Sequence, residues 1–127
     1  MKTFRKFLEQ DAEINQIENN PIFKIKSNMS SEINDLLQWI QQNSSQNYED
    51  IKNKMLNFRT NISYLSTEMF KSIPNFKIRA AYKEQYKILI NKLNEFENLT
   101  GDLKKSLQQL TNILNSFLIF IQSKISV

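Results

Sequence analysis

The chain has 127 residues, a mass of 15.1 kDa and a formal net charge of +4, which suit one domain with a single core and a mild preference for acidic partners. With one Gly and two Pro, it lacks the turn residues that strand-rich folds and phosphate-binding loops need. With no His and no Cys, it lacks the usual ligands for zinc, haem and iron–sulfur clusters, every disulfide, and the common nucleophile pairs of enzymes.

Residues 1–20 predict a short N-terminal helix. Over residues 2–18 the apolar side chains fall on one face at helical spacing; they are Phe4, Phe7, Leu8, Ile14 and Ile17. Residues 1–10 carry charged side chains where a secretory signal would place its apolar stretch. We therefore expect no secretory signal peptide and a cytoplasmic protein.

Two longer helices are predicted between residues 21 and 72. Asn20 and Pro21 suit the N-cap and the first position of a helix, and apolar residues then recur every three or four positions to about residue 41. The next helix begins after Asn47, a suitable N-cap, and carries apolar residues at 48, 51, 55, 58, 62, 65 and 69. This period of 3.5 residues keeps an apolar stripe against a neighbouring helix along its whole length.

The turn at Pro74 leads into a third helix, which carries Tyr82, Leu89 and Leu93 on its apolar stripe and runs to about residue 100. We expect Gly101 to end it in a left-handed conformation. Because the turns are short, successive helices should be antiparallel. The sequence thus predicts an all-α, antiparallel up-and-down bundle: a three-helix bundle over residues 21–100, with shorter terminal helices over 1–20 and 101–127.

The C-terminal helix, over residues 101–127, carries the predicted binding site for a protein partner. Its heptad stripe, which we call the C-terminal seam, consists of Leu103, Leu107, Leu110, Leu114, Phe117 and Ile121. Residues 117–121 are apolar all round the helix, and such a helix requires burial on every side. Because residues 21–100 can bury their stripes together, we expect the C-terminal seam to pair with a helix of another protein. The apolar run is far shorter than the roughly 20 residues of a membrane span.

No residue pattern indicates catalysis. Carboxylates occur close together as Glu9/Asp11/Glu13, Glu49/Asp50 and Glu95/Glu97. None of these groups repeats at the i, i+3 or i, i+4 spacing on an apolar face that metal sites in bundles use. We therefore predict a protein that is not an enzyme and that uses no metal and no cofactor.

A basic stripe offers an alternative function. Arg79, Lys83 and Lys87 are spaced four residues apart, and Tyr82 and Tyr86 stand beside them. Aromatic and cationic residues together can bind single-stranded nucleic acid through base stacking and phosphate contacts. Because acidic and amide residues interrupt the stripe, an ordinary solvated face is the favoured interpretation. A nucleic-acid-binding protein stays an alternative, as does a structural subunit of a bacterial or phage assembly.

Residues 65–96 carry a more specific pattern. A helix ends in a mixture of acidic, apolar and basic residues at 68–71, and a turn with Ile73-Pro74 follows. The next helix contains Arg79 and the pair Tyr86-Lys87, and residues 93–96 close it with Leu-x-x-Phe. This order resembles the N-terminal domain of the Vti family of vesicle-transport SNAREs, and the opening residues 4–11 are similar as well.

The resemblance implies an antiparallel three-helix domain that regulates or recruits, followed by a linker, a long SNARE helix and a membrane anchor. Residues 102–121 would be the opening of that SNARE helix. It also implies partners among SNAREs or trafficking adaptors, at the cytosolic face of Golgi or endosomal membranes. The predicted function is therefore protein binding in vesicle-mediated transport, with the C-terminal seam as the contact surface.

Overall fold

The computed structural model describes residues 21–43 and 46–125, which form four α-helices and contain no strand. The helices are α1 (Pro21–Asn43), α2 (Tyr48–Ser72), α3 (Phe76–Glu95) and α4 (Leu103–Lys124), and a short 3-10 turn (Phe96–Asn98) follows α3. The all-α prediction is confirmed. The predicted helix over residues 2–18 and the predicted cap at Asn20 lie outside the described residues.

Side-chain caps fix where three of the helices begin. The Asn47 side chain accepts a hydrogen bond from the backbone N–H of Asp50 at 2.9 Å, as predicted. Asn75 accepts from two N–H groups in the first turn of α3, and Asp102 does the same for α4. Each cap satisfies backbone donors that have no partner within the helix, so the helix starts at that residue rather than one turn later.

The connection between α3 and α4 differs from the prediction. Gly101 does not have a positive φ, so the expected left-handed cap is absent there. The Tyr48 hydroxyl instead braces this connection, since it donates to the carbonyl of Phe96 at 2.6 Å and accepts from the N–H of Leu99 at 3.1 Å. A side chain about fifty residues away in sequence thus satisfies backbone groups that a left-handed glycine would otherwise satisfy.

The four helices form a closed ring in which each helix packs against two neighbours. α1 contacts α2 and α4, and α3 contacts the same two helices. This is the arrangement of an up-and-down four-helix bundle. The interior is filled by the predicted stripes; its buried members include Met29, Ile33 and Leu36 from α1, Ile51, Met55, Phe58, Ile62 and Met69 from α2, Tyr82, Leu89 and Leu93 from α3, and Leu107, Leu110, Leu114, Phe117 and Ile121 from α4.

The C-terminal seam lies inside this bundle, which corrects the prediction that it pairs with another protein. Leu107, Leu110, Leu114, Phe117 and Ile121 are buried against the other three helices, and Leu103 is half-buried beside them. Three helices leave one side of their shared interior open, and α4 covers that side. Residue 100 is therefore not a domain boundary, and residues 21–100 do not form a separate three-helix unit.

Polar contacts fasten α4 to its neighbours at several levels. The Lys26 ammonium donates to the carbonyl of Ile125 at 2.9 Å, at the negative end of the α4 dipole. Near the other end, the largely buried Lys92 ammonium donates to the Gln109 amide oxygen at 2.5 Å and to the Glu95 carboxylate at 2.9 Å. The bond from Lys26 joins α4 to α1, and the bond from Lys92 to Gln109 joins it to α3, so together they hold α4 at one height in the bundle.

Because α4 completes the core, truncation of a seam residue should destabilise the whole fold. We expect Leu110→Ala to lower the free energy of unfolding by about 2–5 kcal/mol, measured by urea titration with circular dichroism. Ile119 on the same helix is 63% exposed and provides the matched control; Ile119→Ala should change stability by less than about 1 kcal/mol. Equal losses in the two variants would contradict the burial of the C-terminal seam.

Candidate functional site

The strongest candidate site is an apolar groove between α2 and α3, close to the turn that joins them. We call it the α2–α3 groove. It has a volume of about 320 Å³ and is lined by Ser66, Thr67, Phe70 and Lys71 from α2 and by Tyr82, Lys83 and Tyr86 from α3. Its size is at the lower end of the range for small-ligand sites, and one large side chain of a partner would fill much of it.

Two tyrosines of α3 form the floor of the groove. Their rings are nearly parallel, with centroids 6.3 Å apart, and each hydroxyl is paired with a serine of α2. Tyr82 shares a hydrogen bond with Ser66 at 2.6 Å, and Tyr86 shares one with Ser63 at 2.9 Å. Both ring positions are therefore set before any ligand arrives, which reduces the entropy cost of binding.

The inner tyrosine belongs to the core as much as to the groove. Tyr82 is almost wholly buried, and its hydroxyl lies 3.8 Å from the Met29 sulfur of α1. Phe117 of α4 packs behind both tyrosine rings. Burial raises the pKa of the Tyr82 phenol above its usual range, although the hydrogen bond that the phenol shares with Ser66 acts in the opposite direction. The phenol therefore remains neutral at physiological pH.

The outer wall of the groove is aromatic and its rim is basic. The Phe70 side chain is 38% exposed, and the Arg79 guanidinium lies 5.7 Å from the centre of its ring. Lys71 and Lys83 are exposed, and they are the charged residues that line the groove. An apolar surface beside lysines, with no carboxylate in its lining, is complementary to a ligand that combines an apolar side chain with negative charge.

The structure separates the predicted basic stripe into residues with different roles. Arg79 donates two hydrogen bonds to the Ile73 carbonyl, at 3.1 and 2.8 Å, where α2 ends. Lys83 lines the α2–α3 groove, whereas Lys87 is exposed one turn further along α3 and does not line it. Of the two tyrosines beside the stripe, Tyr82 is buried and only Tyr86 is partly accessible.

The sequence interpretation missed the half of the groove that α2 contributes. Phe70 and Lys71 follow directly after Met69, the last residue of the α2 heptad. The sequence did contain a sign of this half, because a large aromatic residue just off the apolar stripe is left outside the bundle interior and can form part of a binding surface.

Outside the α2–α3 groove, the described surfaces offer weaker candidates for a binding site. A larger, polar groove of about 660 Å³ between α1 and α2 is lined by Glu32 and Asp35 together with amide and hydroxyl side chains and Tyr64. Over residues 21–43 and 46–125, no three carboxylates gather as a metal site requires. None of the helices in that part of the chain combines the length and apolarity needed to cross a bilayer.

The chain matches no protein-family model, no curated protein and no solved structure. The function must therefore be inferred from the geometry of the groove and from the sequence.

The raised pKa of Tyr82 predicts a loss of stability at high pH. The unfolded phenol ionises at about 10, whereas the folded phenol resists ionisation. Above that pH the unfolded state therefore binds fewer protons, and the free energy of unfolding falls by up to about 1.4 kcal/mol per pH unit. Urea titrations at about pH 8 and about pH 11 measure this loss.

The Tyr82→Phe variant should lose about 1 kcal/mol at pH 8, because Ser66 loses its partner, but should show a smaller further loss at pH 11. Tyr64, which is 73% exposed, provides the matched control; Tyr64→Phe should follow the parent protein at both values. An identical pH dependence in Tyr82→Phe and the parent would show that Tyr82 does not cause the loss of stability at high pH.

Proposed function

We propose that this chain is a non-enzymatic protein-interaction module whose α2–α3 groove binds an acidic segment of another protein through an apolar anchor residue. The observation that carries the proposal is the exposure of Phe70 beside Lys71 and Lys83, over a floor of fixed tyrosines. An exposed aromatic side chain in a preformed groove is a typical anchor position at protein interfaces.

Each part of the groove supplies a different part of the binding energy. An apolar side chain that covers Phe70 and Tyr86 gains about 25 cal/mol for each Å² removed from water. The lysines at the rim attract carboxylates, contribute roughly 0.2–1 kcal/mol each at an exposed position, and accelerate association. Because the groove is small, the complex is weak and transient.

A nucleic acid fits the same groove less well. Two of the guanidinium N–H groups of Arg79 are bonded to the Ile73 carbonyl, and the buried ring of Tyr82 offers no face to a base. Single-strand binders present several stacking rings along a continuous basic track. Here Tyr86 is the partly accessible ring of the pair, so an acidic protein segment is the better ligand.

The resemblance of residues 65–96 to the Vti family extends the proposal to vesicle transport. These residues form the end of α2, the turn with Pro74, and α3, which together are the hairpin that carries the groove. In this proposal the hairpin recruits a trafficking adaptor or a SNARE partner at the cytosolic face of Golgi or endosomal membranes. α4 takes no part as a SNARE helix, because its apolar stripe lies in the core.

Binding of a synthetic acidic peptide tests the proposal. The probe is a fluorescent amphipathic peptide with Phe and Leu at i, i+4 and Asp or Glu elsewhere, titrated by anisotropy. We expect Lys71→Glu combined with Lys83→Glu to weaken binding at least about tenfold. Lys104 and Lys105 are exposed lysines in the first turn of α4 and provide the control with the same change in charge. Lys104→Glu combined with Lys105→Glu should leave the affinity within about twofold of the parent.

A second variant separates the apolar contribution from the charges. Phe70→Ala should weaken binding without changing its dependence on salt, whereas the lysine variants should reduce that dependence. Failure of the parent protein to bind the peptide, or equal binding by the lysine variants, would refute the proposal. Stronger, steeply salt-dependent binding of oligothymidylate would favour a nucleic-acid partner. A mass that increases with concentration in light scattering would favour an assembly subunit.

A further inference from the structure

Three aromatic side chains are exposed at one end of the bundle. Phe23 in the first turn of α1 is 40% exposed, Phe70 near the end of α2 is 38% exposed, and Phe76 at the start of α3 is 74% exposed. Antiparallel packing brings these termini together, as the contact between Met29 and the Tyr82 hydroxyl confirms. The basic rim of the α2–α3 groove is at this same end, because Lys71 lies in the last turn of α2.

We infer that residues 9–18 of the same chain bind in the α2–α3 groove and compete there with the acidic partner; the inference rests on the function proposed above. The three basic side chains of the N-terminal region, Lys2, Arg5 and Lys6, lie before this segment. Residues 9–18 contain four carboxylates and no basic residue; the acidic residues are Glu9, Asp11, Glu13 and Glu18. Ile14 and Ile17 stand among them as apolar anchors. The segment therefore has the combination of negative charge and apolar side chains that the groove fits.

The point at which the segment joins the bundle supports this occupant. α1 begins at Pro21, at the end of the bundle where the groove and the three exposed aromatic residues lie. Packed helices are about 8–10 Å apart, so the groove is roughly one helix diameter from the start of α1. Ile14 stands seven residues before Pro21, and an extended chain covers about 3.3 Å per residue, so this anchor can lie up to about 23 Å from the start of α1. An extended segment is therefore long enough to reach the groove.

Tethering gives the segment an advantage over a free ligand. A segment joined to its site by a short length of chain acts at an effective concentration of about 1 mM or more, so a weak groove ligand remains bound in cis. A second copy of the chain is a poorer occupant. A stable dimer needs about 800 Å² from each partner, far more than this short groove provides, and two chains of net charge +4 repel each other.

The absence of cysteine from the chain allows a direct test on the full-length protein. A nitroxide is attached at Gln10→Cys, and paramagnetic broadening of backbone amide signals is recorded by NMR. We expect strong broadening at Thr67, Phe70 and Lys83 and none at Gln38 and Gln108, which lie at the opposite end of the bundle. Adding Lys71→Glu and Lys83→Glu should remove the broadening. Broadening at another surface, or broadening that persists in the lysine variants, would overturn the inference.

Peptide titration separates this inference from the proposed function. In a chain with the neutral replacements Glu9→Gln, Asp11→Asn and Glu13→Gln, the acidic probe peptide should bind about threefold to tenfold more tightly, because the tail no longer competes. Equal peptide affinity in the two chains would overturn the competition in cis and leave the groove as a partner site. If the nitroxide broadens the amide signals of the groove but the peptide binds to neither chain, the partner site would be overturned and binding of the tethered segment would be supported.

Discussion

Burial of four apolar stripes in one shared interior determines the rest of this structure. Three antiparallel helices leave one side of that interior open, and α4 closes it with fully buried side chains that include Leu110, Leu114 and Phe117. The packing of α4 also shapes the α2–α3 groove, because Phe117 packs behind the rings of Tyr82 and Tyr86. The floor of the α2–α3 groove therefore depends on α4, although α4 does not line the groove.

Apolar stripes alone would not hold the helices at a single height. A stripe of heptads can slide along its neighbour by one repeat and still bury most of its surface, so polar contacts with defined partners set the register. The bond between Ser66 and Tyr82 sets it for α2 and α3, and the bond between Lys92 and Gln109 sets it for α3 and α4. The bond between Ser66 and Tyr82 also fixes the floor of the groove, so the register of the helices determines the shape of the groove.

The local spacing of apolar residues predicted the helices. It did not predict the interactions between residues that are distant in sequence. The heptad of α2 and its cap at Asn47 were predicted correctly, since both depend on neighbouring residues. The C-terminal seam looks the same whether its own chain or another chain covers it, and that ambiguity produced the wrong assignment. Gly101 was expected to cap α3, yet the hydroxyl of Tyr48 braces that connection. The sequence analysis identified Lys83 and Tyr86 of the groove. It did not identify Phe70, because the register of α2 against α3 is what brings Phe70 beside them.

The cations around the α2–α3 groove have different roles, and these roles bear on the ligand that the proposed site would select. Arg79 has the planar donor group that reads a partner's geometry, but it stabilises the fold, since it donates to the carbonyl of Ile73, the residue that follows α2. The lysines that remain at the rim are compact point charges on flexible stems and accept carboxylates in many arrangements. In the proposed function, such charges beside an aromatic wall would bind a class of acidic segments rather than one sequence. The proposed tethered segment and a free partner would then differ less in their contacts than in their effective concentration, and that difference would determine which of them occupies the groove.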